Sequence, residues 1–350
     1  MTKNCFYFVA MLALCVVIFT SCEIDREPTG GRMTMTTAKS EVEFVVTAEQ
    51  ILVNWGDWNR NVTSTGDGVV FWNHLTTHWQ HSHSYSNSSV RTITIFGDIR
   101  ELDCSGLELT HLDVSKNTAL RRLSAHQNRL TSVDVSNNMA LEDLGLNQNR
   151  LTTLDLSRNT ALTILRISQN RLTTLDVSRN VALDFLFCSH NQLNNLNISN
   201  NRRLSNLSCS HNQLTSIDVR SNTLLQQLDC SHNQLTNLDL RYNVRLSALL
   251  CCNNQLSELD VSNNIVLNIL YVSNNQLTNL DVSRNTRLNA LDVSNNQFTA
   301  DALNALFESL NEVSFGAYII IGGNPGSAEA DRGIAERKGW RVRDYRENLW

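Results

Sequence analysis

The sequence contains few of the residues that interrupt regular structure. Of its 350 residues only 2 are Pro and 14 are Gly, and aromatic residues make up 7%. This composition excludes collagen-like chains and low-complexity disorder. An excess of basic residues is also absent, since the formal net charge is −5. That balance argues against a generally basic surface, so we expect no nucleic-acid partner.

Long apolar runs are missing except at the N-terminus. There, Lys3 precedes a mostly apolar stretch over residues 6–19, which ends in Thr-Ser before Cys22. A charged start, a short apolar run and small residues predict a secretory signal peptide over residues 1–21, because the run is short for a membrane span. No comparable run follows, so no transmembrane helix is expected.

Small residues directly before Cys22 resemble the lipobox of bacterial lipoproteins. The resemblance implies that Cys22 is the lipid attachment site and that the membrane is reached through this anchor only. An ordinary secretory cleavage near Ser21 is the alternative. The acidic stretch over residues 23–27 resembles the surface-export signal of Bacteroidetes lipoproteins, which implies a lipid-anchored outer-membrane protein facing the cell exterior. Residues 22–40 are interpreted as a lipidated flexible stalk.

Residues 41–98 contain short alternating apolar runs separated by turn-forming residues, which predicts a small antiparallel β-sandwich. The segments 55–57 (Trp-Gly-Asp) and 83–85 (His-Ser-Tyr) resemble the signatures of PKD-like domains, which implies a spacer or adhesion module. His74, His78, His81 and His83 could together ligate a metal. Because no Cys or carboxylate lies nearby and His83 already belongs to the PKD-like motif, we expect no metal site.

An Asn recurs every 21 residues over most of the chain. Its members are Asn128, Asn149, Asn170, Asn191, Asn212, Asn233, Asn254, Asn275 and Asn296. Internal repetition of this length predicts a solenoid. The unit at 225–245 fits Leu-x-x-Leu-x-Cys-x-x-Asn-x-Leu and then nearly repeats itself, so each coil is predicted to have two strand-like halves.

This nested pattern resembles the internalin-type leucine-rich repeats of bacteria. The resemblance implies a mainly β fold in which residues 99–298 form a right-handed solenoid. Strands on both sides of each coil predict weak curvature. Leucines at fixed positions are expected to fill the interior.

Five cysteines share one inward phase of the repeat with Leu, Ile and Val, which predicts small buried residues with free thiols. They are Cys104, Cys188, Cys209, Cys230 and Cys251. They resemble the cysteine ladder of internalin-type repeats. Cys252 lies out of this phase and is predicted to be accessible.

An outward Asp recurs in the second half of eight coils. The row comprises Asp113, Asp134, Asp155, Asp176, Asp218, Asp239, Asp260 and Asp281, with Asn197 as the exception. Closely spaced carboxylates could recruit cations. The interpretation we favour is that each Asp accepts hydrogen bonds from a nearby Ser and from backbone groups.

The repeat pattern breaks at Phe298, and residues 299–350 are interpreted as a small α/β C-terminal cap. The pattern predicts a helix over 301–310, a strand over 317–321 and a second helix over 327–338 that ends at Gly339. Such a segment would cover the open end of the solenoid, while the β-sandwich would cover the other end.

The outward positions of the first strand vary from coil to coil, as expected of a recognition surface. Two clusters are candidate ligand-binding residues. One comprises Ile164, Arg166, Phe185 and Phe187, and the other Leu250, Ile269 and Tyr271. The alternative is that these are ordinary outward residues. His190, His211 and His232 form a further row in the adjoining turn, for which a metal or pH-sensitive role is the less favoured interpretation.

No Ser-His-Asp, Cys-His or paired-carboxylate arrangement stands apart from the repeat, so no enzyme activity and no cofactor are expected. The favoured function is a non-enzymatic, monomeric surface lipoprotein that presents a leucine-rich-repeat rod to a protein or glycan. The alternative is an outer-membrane lipoprotein that binds nutrient glycans.

Overall fold

A computed structural model describes most of the chain. It covers residues 31–48, 50–56, 69–73, 79–314 and 316–345. The predicted signal peptide, the predicted lipid attachment site at Cys22, Asp57, His74 and His78 lie outside the described residues. The described residues all belong to one compact unit, Gly31–Trp350. Within them, no helix has the length and apolarity that crossing a membrane requires.

Six strands precede the coils. They are β1 (Arg32–Thr37), β2 (Glu41–Thr47), β3 (Gln50–Asn54), β4 (Val69–Asn73), β5 (Trp79–Ser84) and β6 (Arg91–Phe96). Strands β3, β4, β6 and β1 belong to one antiparallel sheet, whereas β2 and β5 extend the long sheet of the coils. The boundary predicted at residue 98 is therefore not a break in the hydrogen bonding.

Residues 32–37 correct the prediction of a flexible stalk, because they form strand β1 between β6 and β8 (His111–Asp113). Met33, Met35 and Thr37 alternate with more exposed residues and are each 1% exposed. A period of two was present in the sequence, but threonines occupied the positions between and after the methionines. The short run therefore had little contrast between its apolar and polar positions.

The first half of each coil supplies one short parallel strand. These strands are β7 (Glu101–Asp103), β9 (Arg122–Ser124), β10 (Asp143–Gly145), β11 (Ile164–Arg166), β12 (Phe185–Phe187), β13 (Asn206–Ser208), β14 (Gln227–Asp229), β15 (Ala248–Leu250), β16 (Ile269–Tyr271) and β17 (Ala290–Asp292). They pair in sequence order within a 14-stranded sheet. The result is a mainly β solenoid of about 12 turns.

The central leucine of each strand forms the core of the solenoid. Leu207, Leu228 and Leu249 lie opposite one another on adjacent strands and are at most 2% exposed. Burying one such side chain contributes about 1.5–3 kcal/mol relative to leaving it exposed. Because every coil repeats this contact, the stack is stabilised along its whole length.

The second halves of the coils do not form the second strand that the nested pattern predicts. Within the described residues, this side of the coils carries only β8 and one isolated bridge, between Asp113 and Asp134. Inward residues such as Leu238 and Leu240 are buried as expected. The alternation of apolar and polar residues therefore predicted which side chains face the interior. It did not predict whether the backbones of neighbouring coils form hydrogen bonds with each other.

The C-terminal segment contains α1 (Ala300–Ser309), β18 (Tyr318–Ile320), α2 (Arg332–Arg337) and β19 (Arg341–Arg343). Thr299 caps α1, since its hydroxyl accepts a hydrogen bond from the backbone N of Ala302 at 3.2 Å. Helix α2 is shorter than the predicted 327–338. Strands β18 and β19 continue the parallel sheet beyond β17.

The coils consequently extend past the predicted boundary at residue 298. Asn324 lies 28 residues after Asn296, not 21, yet it accepts from the backbone N of Phe298 at 3.2 Å and donates to the carbonyl of Val293 at 2.9 Å. This is the contact pattern of the recurring asparagines. The extra residues, which include α1, lengthen this coil beyond the 21-residue period, so the sequence pattern did not reveal it as a further coil.

Candidate functional site

The recurring asparagines hold adjacent coils together. Asn233 Oδ1 accepts from the backbone N of Leu214 at 3.0 Å, and its Nδ2 donates to the carbonyls of Cys209 and Cys230, both at 3.1 Å. Each amide thus satisfies buried backbone groups of its own coil and of the preceding one. This fixes the turn that follows every first strand.

The residue before each of these asparagines has a left-handed backbone, with φ between 52° and 57°. The row is Gln127, Gln148, Gln169, His190, His211, His232, Asn253, Asn274 and Asn295. Asn tolerates this conformation better than most residues do. The turn therefore projects one side chain per coil from the edge of the sheet.

His190, His211 and His232, called here the histidine stack, lie face to face along this edge. The ring centroids are 4.0 Å and 3.9 Å apart, with interplanar angles of 11° and 13°. Asn253 Nδ2, which can only donate, is 3.2 Å from His232 Nε2, so that nitrogen accepts. Partial burial and the neighbouring His190 and His232 lower the pKa of His211, with Asp229 opposing them.

Acidification should weaken the fold through the histidine stack. Because the folded pKa of His211 lies below 6.5, the unfolded chain takes up this proton first. Its contribution to stability is therefore fully present above pH 6.5 and decreases as the pH falls towards the folded value. We expect the drop in melting temperature between pH 7.5 and pH 5.5 to be smaller in His211→Asn than in the unmodified chain. Equal drops would contradict this assignment.

The structure brings the first predicted cluster together on strands β11 and β12. Ile164 lies opposite Phe185 and Arg166 opposite Phe187, and all four are partly exposed. The two Phe rings are 6.4 Å apart between centroids. Arg166 already has a partner within the sheet, since its Nη1 is 2.6 Å from Asp143 Oδ1.

The second predicted cluster lies on β15 and β16, separated from the first by β13 and β14. Leu250 is opposite Tyr271, and Ile269 shares a strand with Tyr271. Leu250 and Tyr271 line a cavity of about 580 Å³, whereas Ile269 lies outside its lining. The two clusters are thus separate surfaces on one sheet.

The cavity is lined mainly by polar side chains from successive coils. These include Ser210, His211, Asp229, Ser231, His232, Cys252, Asn253, Ser273, Asn274, Asp292, Ser294 and Asn295. None of the lining residues is Lys or Arg. Hydroxyl, carboxamide and carboxylate groups beside Leu250 and Tyr271 can form hydrogen bonds around an apolar contact.

Sequence reasoning missed the C-terminal wall of this cavity. Ile320, Gly322, Asp344 and Tyr345 contribute to the lining, and Tyr318 Oη is 2.6 Å from Tyr271 Oη. A Cβ on Gly322 would lie 2.0 Å from the carbonyl oxygen of Asp344, so Gly permits this close approach. The signal that could have revealed this wall is the similarity of residues 318–324 to residues 290–296, the preceding strand and turn, 28 residues earlier in the sequence.

The five in-phase cysteines all lie in the interior, each with 0% exposure, and the described cysteines are free thiols. Burial raises the pKa of Cys188 to about 12, and it raises the pKa values of Cys209 and Cys230 well above the usual range. These thiols are therefore poor nucleophiles. Cys252 is half-buried and takes the position that is Ser231 in the coil before.

Each Asp of the outward row accepts a hydrogen bond from a backbone N two residues later, and Asn197 does the same, at distances of 2.8–3.2 Å. Hydrogen bonds from Ser262 lower the pKa of Asp260, and those from Arg220 lower the pKa of Asp218 to about 2. These contacts agree with the favoured interpretation. Among the described residues no group of His, Cys, Asp and Glu is arranged to hold a metal ion.

Three residues of the PKD-like signatures contact one another. The Trp55 and His83 rings stack at 5.0 Å, His83 contacts Tyr85 edge-on at 4.4 Å, and Tyr85 Oη donates to the carbonyl of Trp55 at 2.7 Å. His81 instead stacks on Phe44, and burial lowers its pKa. His81 and His83, the two described members of the four-histidine segment, therefore pack against aromatic rings.

Solved structures of similar fold include two Listeria monocytogenes proteins. The functional domain of InlJ, described as including a cysteine ladder, is 34% identical with a TM-score of 0.60, and the match covers 66% of this chain. The internalin InlF is 22% identical with a TM-score of 0.57, covering 71% of this chain and 87% of its own. A leucine-rich-repeat protein of Leptospira interrogans, 22% identical, also has a TM-score of 0.57, covering 66% of this chain and 68% of its own.

This chain spans about half the length of the InlJ structure, 51%. No protein-family model matches the sequence, and no curated protein does. The strand register, asparagine contacts and inward cysteines described above are features of the coils. The described coils form an internalin-like leucine-rich-repeat solenoid.

Proposed function

We propose that this protein is a non-enzymatic recognition scaffold that binds a protein partner on the outer face of its parallel sheet. The observation that carries the proposal is the contrast between repeat positions that are nearly constant from coil to coil and positions that vary. Asparagines, outward Asp residues and inward leucines are nearly constant, whereas the outward strand positions vary and contain two half-exposed apolar clusters. Aromatic side chains with a nearby Arg are typical of interface centres. Leucine-rich-repeat neighbours support an interaction scaffold.

We further propose that the chain is a lipoprotein anchored through Cys22 in the outer membrane, facing the cell exterior and acting as a monomer in adhesion. The strands before the coils and the segment after β17 would then cover the two ends of the solenoid. This arrangement would hold the sheet away from the membrane. Protease added to intact cells should digest the protein, and Cys22→Ala should release it from the membrane fraction.

The recognition proposal is tested on the pair Phe185 and Phe187. Once a partner has been identified by crosslinking on cells, its dissociation constant is measured for Phe185→Ala/Phe187→Ala. Loss of two central aromatic anchors should weaken binding by about 30-fold, since such residues contribute about 2 kcal/mol or more. The matched control is Asn206→Ala/Ser208→Ala on the adjacent strand. Equal affinities of both variants and the unmodified protein would remove this cluster as the binding surface.

Glycan binding is the second candidate, and the cavity is the observation that favours it. Its Ser and Asn side chains and the carboxylate of Asp229 suit the hydroxyl groups of a sugar, and Tyr271 offers a ring for stacking. An array of neutral glycans separates the candidates. Binding that is lost in Tyr271→Ala but kept in Phe185→Ala would favour the glycan.

A further inference from the structure

Three arginines occupy one position in three consecutive coils, directly after the recurring asparagine. Arg129, Arg150 and Arg171 are all exposed and are called here the arginine row. The backbone N of each donates to a carbonyl of the preceding coil at 2.8–2.9 Å. Chains paired in this way lie about 4.8 Å apart, so the row places one guanidinium-bearing residue per coil along a single edge.

Several arginines of this region pair with a carboxylate on a neighbouring coil, and Arg129 of the row is one of them. The pairs are Arg121–Glu142, Arg122–Glu101, Arg129–Glu108 and Arg166–Asp143, at 2.6–2.8 Å. Arg150 and Arg171, unlike Arg129, form no ion pair with any residue in the described part of the chain. Two like charges one coil apart repel each other unless an anion lies against them.

We propose that the arginine row binds a linear polyanion, specifically a sulfated polysaccharide chain. The planar guanidinium can hold a sulfate through two parallel hydrogen bonds. A single flexible chain with an anionic group on successive sugars can follow one edge of the solenoid. Double-stranded nucleic acid fits less well, because it needs a broad basic surface and this chain carries a net charge of −5.

The residues at the same position in the next coils show where the arginine row ends. Gln192, Gln213 and Gln234 take the same position, and the row of charges therefore ends at Arg171. This surface is the turn edge of the coils, so the inference goes beyond the proposed protein recognition on the strand face. It also supplies a matched substitution, since Gln is the residue that this fold already accepts at the position.

The test uses heparin as the probe and measures its dissociation constant at several salt concentrations. Arg150→Gln/Arg171→Gln should weaken binding by about tenfold or more, and should reduce the slope of log affinity against log salt by about 2. The control Arg202→Gln/Arg203→Gln removes the same charge from exposed positions elsewhere and should leave affinity unchanged. Gln192→Arg, which lengthens the row, should tighten binding. Unchanged melting temperatures establish that the variants fold.

Three results would overturn the proposal. One is failure of the unmodified protein to bind heparin more tightly than neutral dextran. Another is an equal loss in both double variants, which would show that only net charge matters. The third is binding of a single-stranded oligonucleotide of equal charge as tightly as heparin, which would identify a nucleic acid as the better ligand.

Discussion

Asn233→Ala should lower the free energy of unfolding by about 2–4 kcal/mol, because one buried backbone N loses its partner and two buried carbonyls each lose one of their donors. Asn233 is the partner of the backbone N of Leu214, whereas the carbonyl of Cys209 also accepts from Asn212 Nδ2 and that of Cys230 from Asn254 Nδ2. Urea denaturation followed by circular dichroism measures the change.

The matched control for this experiment is Asn222→Ala, in the second row of buried asparagines. Asn222 Nδ2 donates to the carbonyls of Ile198 and Asn201, but its Oδ1 has no hydrogen-bond partner among the described residues. The same atoms are removed with fewer hydrogen bonds lost, so we expect a decrease of about 1–2 kcal/mol. Equal decreases in both variants would show that the cavity, and not the hydrogen bonds, determines the cost.

Cys230→Ser should destabilise the protein by about 1–3 kcal/mol although it changes one atom. The side chain is completely buried in a row of apolar residues, and a hydroxyl placed there loses its hydration. Differential scanning calorimetry would record the effect as a lower melting temperature. Because the thiol is free, no loss of a disulfide contributes.

Cys252→Ser provides the control at the neighbouring residue. Cys252 is half-buried and lies where other coils carry Ser, so the substitution restores the repeat and should change stability by less than about 0.5 kcal/mol. If Cys230→Ser proved as stable as Cys252→Ser, the interior position would have to be hydrated. The inward phase assigned to the cysteines would then be wrong.

The sequence allowed the interior of the coils to be predicted because a constant period fixes the phase of each residue. Leu228, Cys230 and Asn233 could each be assigned a position from spacing alone. Pairing of the second halves could not be predicted in the same way. Burial of Leu238 and Leu240 requires only that they face inward, whereas a strand requires hydrogen bonds to the next coil that alternation does not report.

The candidate site was predicted only in part, for a related reason. Leu250 and Tyr271 could be identified as outward neighbours because the repeat places them on adjacent strands. Their cavity also depends on Tyr318 and Asp344, which reach it only because a 28-residue coil restores the register. The longer coil concealed this closure in the sequence, because the constant period of 21 ends at Asn296.

The 28-residue coil also indicates where this architecture can change its length. The contacts of the asparagine row that includes Asn233 join the first half and the turn of neighbouring coils. Asn324 keeps these contacts although α1 lies in the second half, where the preceding coils carry the asparagine row that includes Asn222. Insertions on that side leave the sheet and its outward residues in place. The binding surface and the opposite side of the solenoid can therefore evolve independently, and a designer could add a helix or a tag there without moving the sheet.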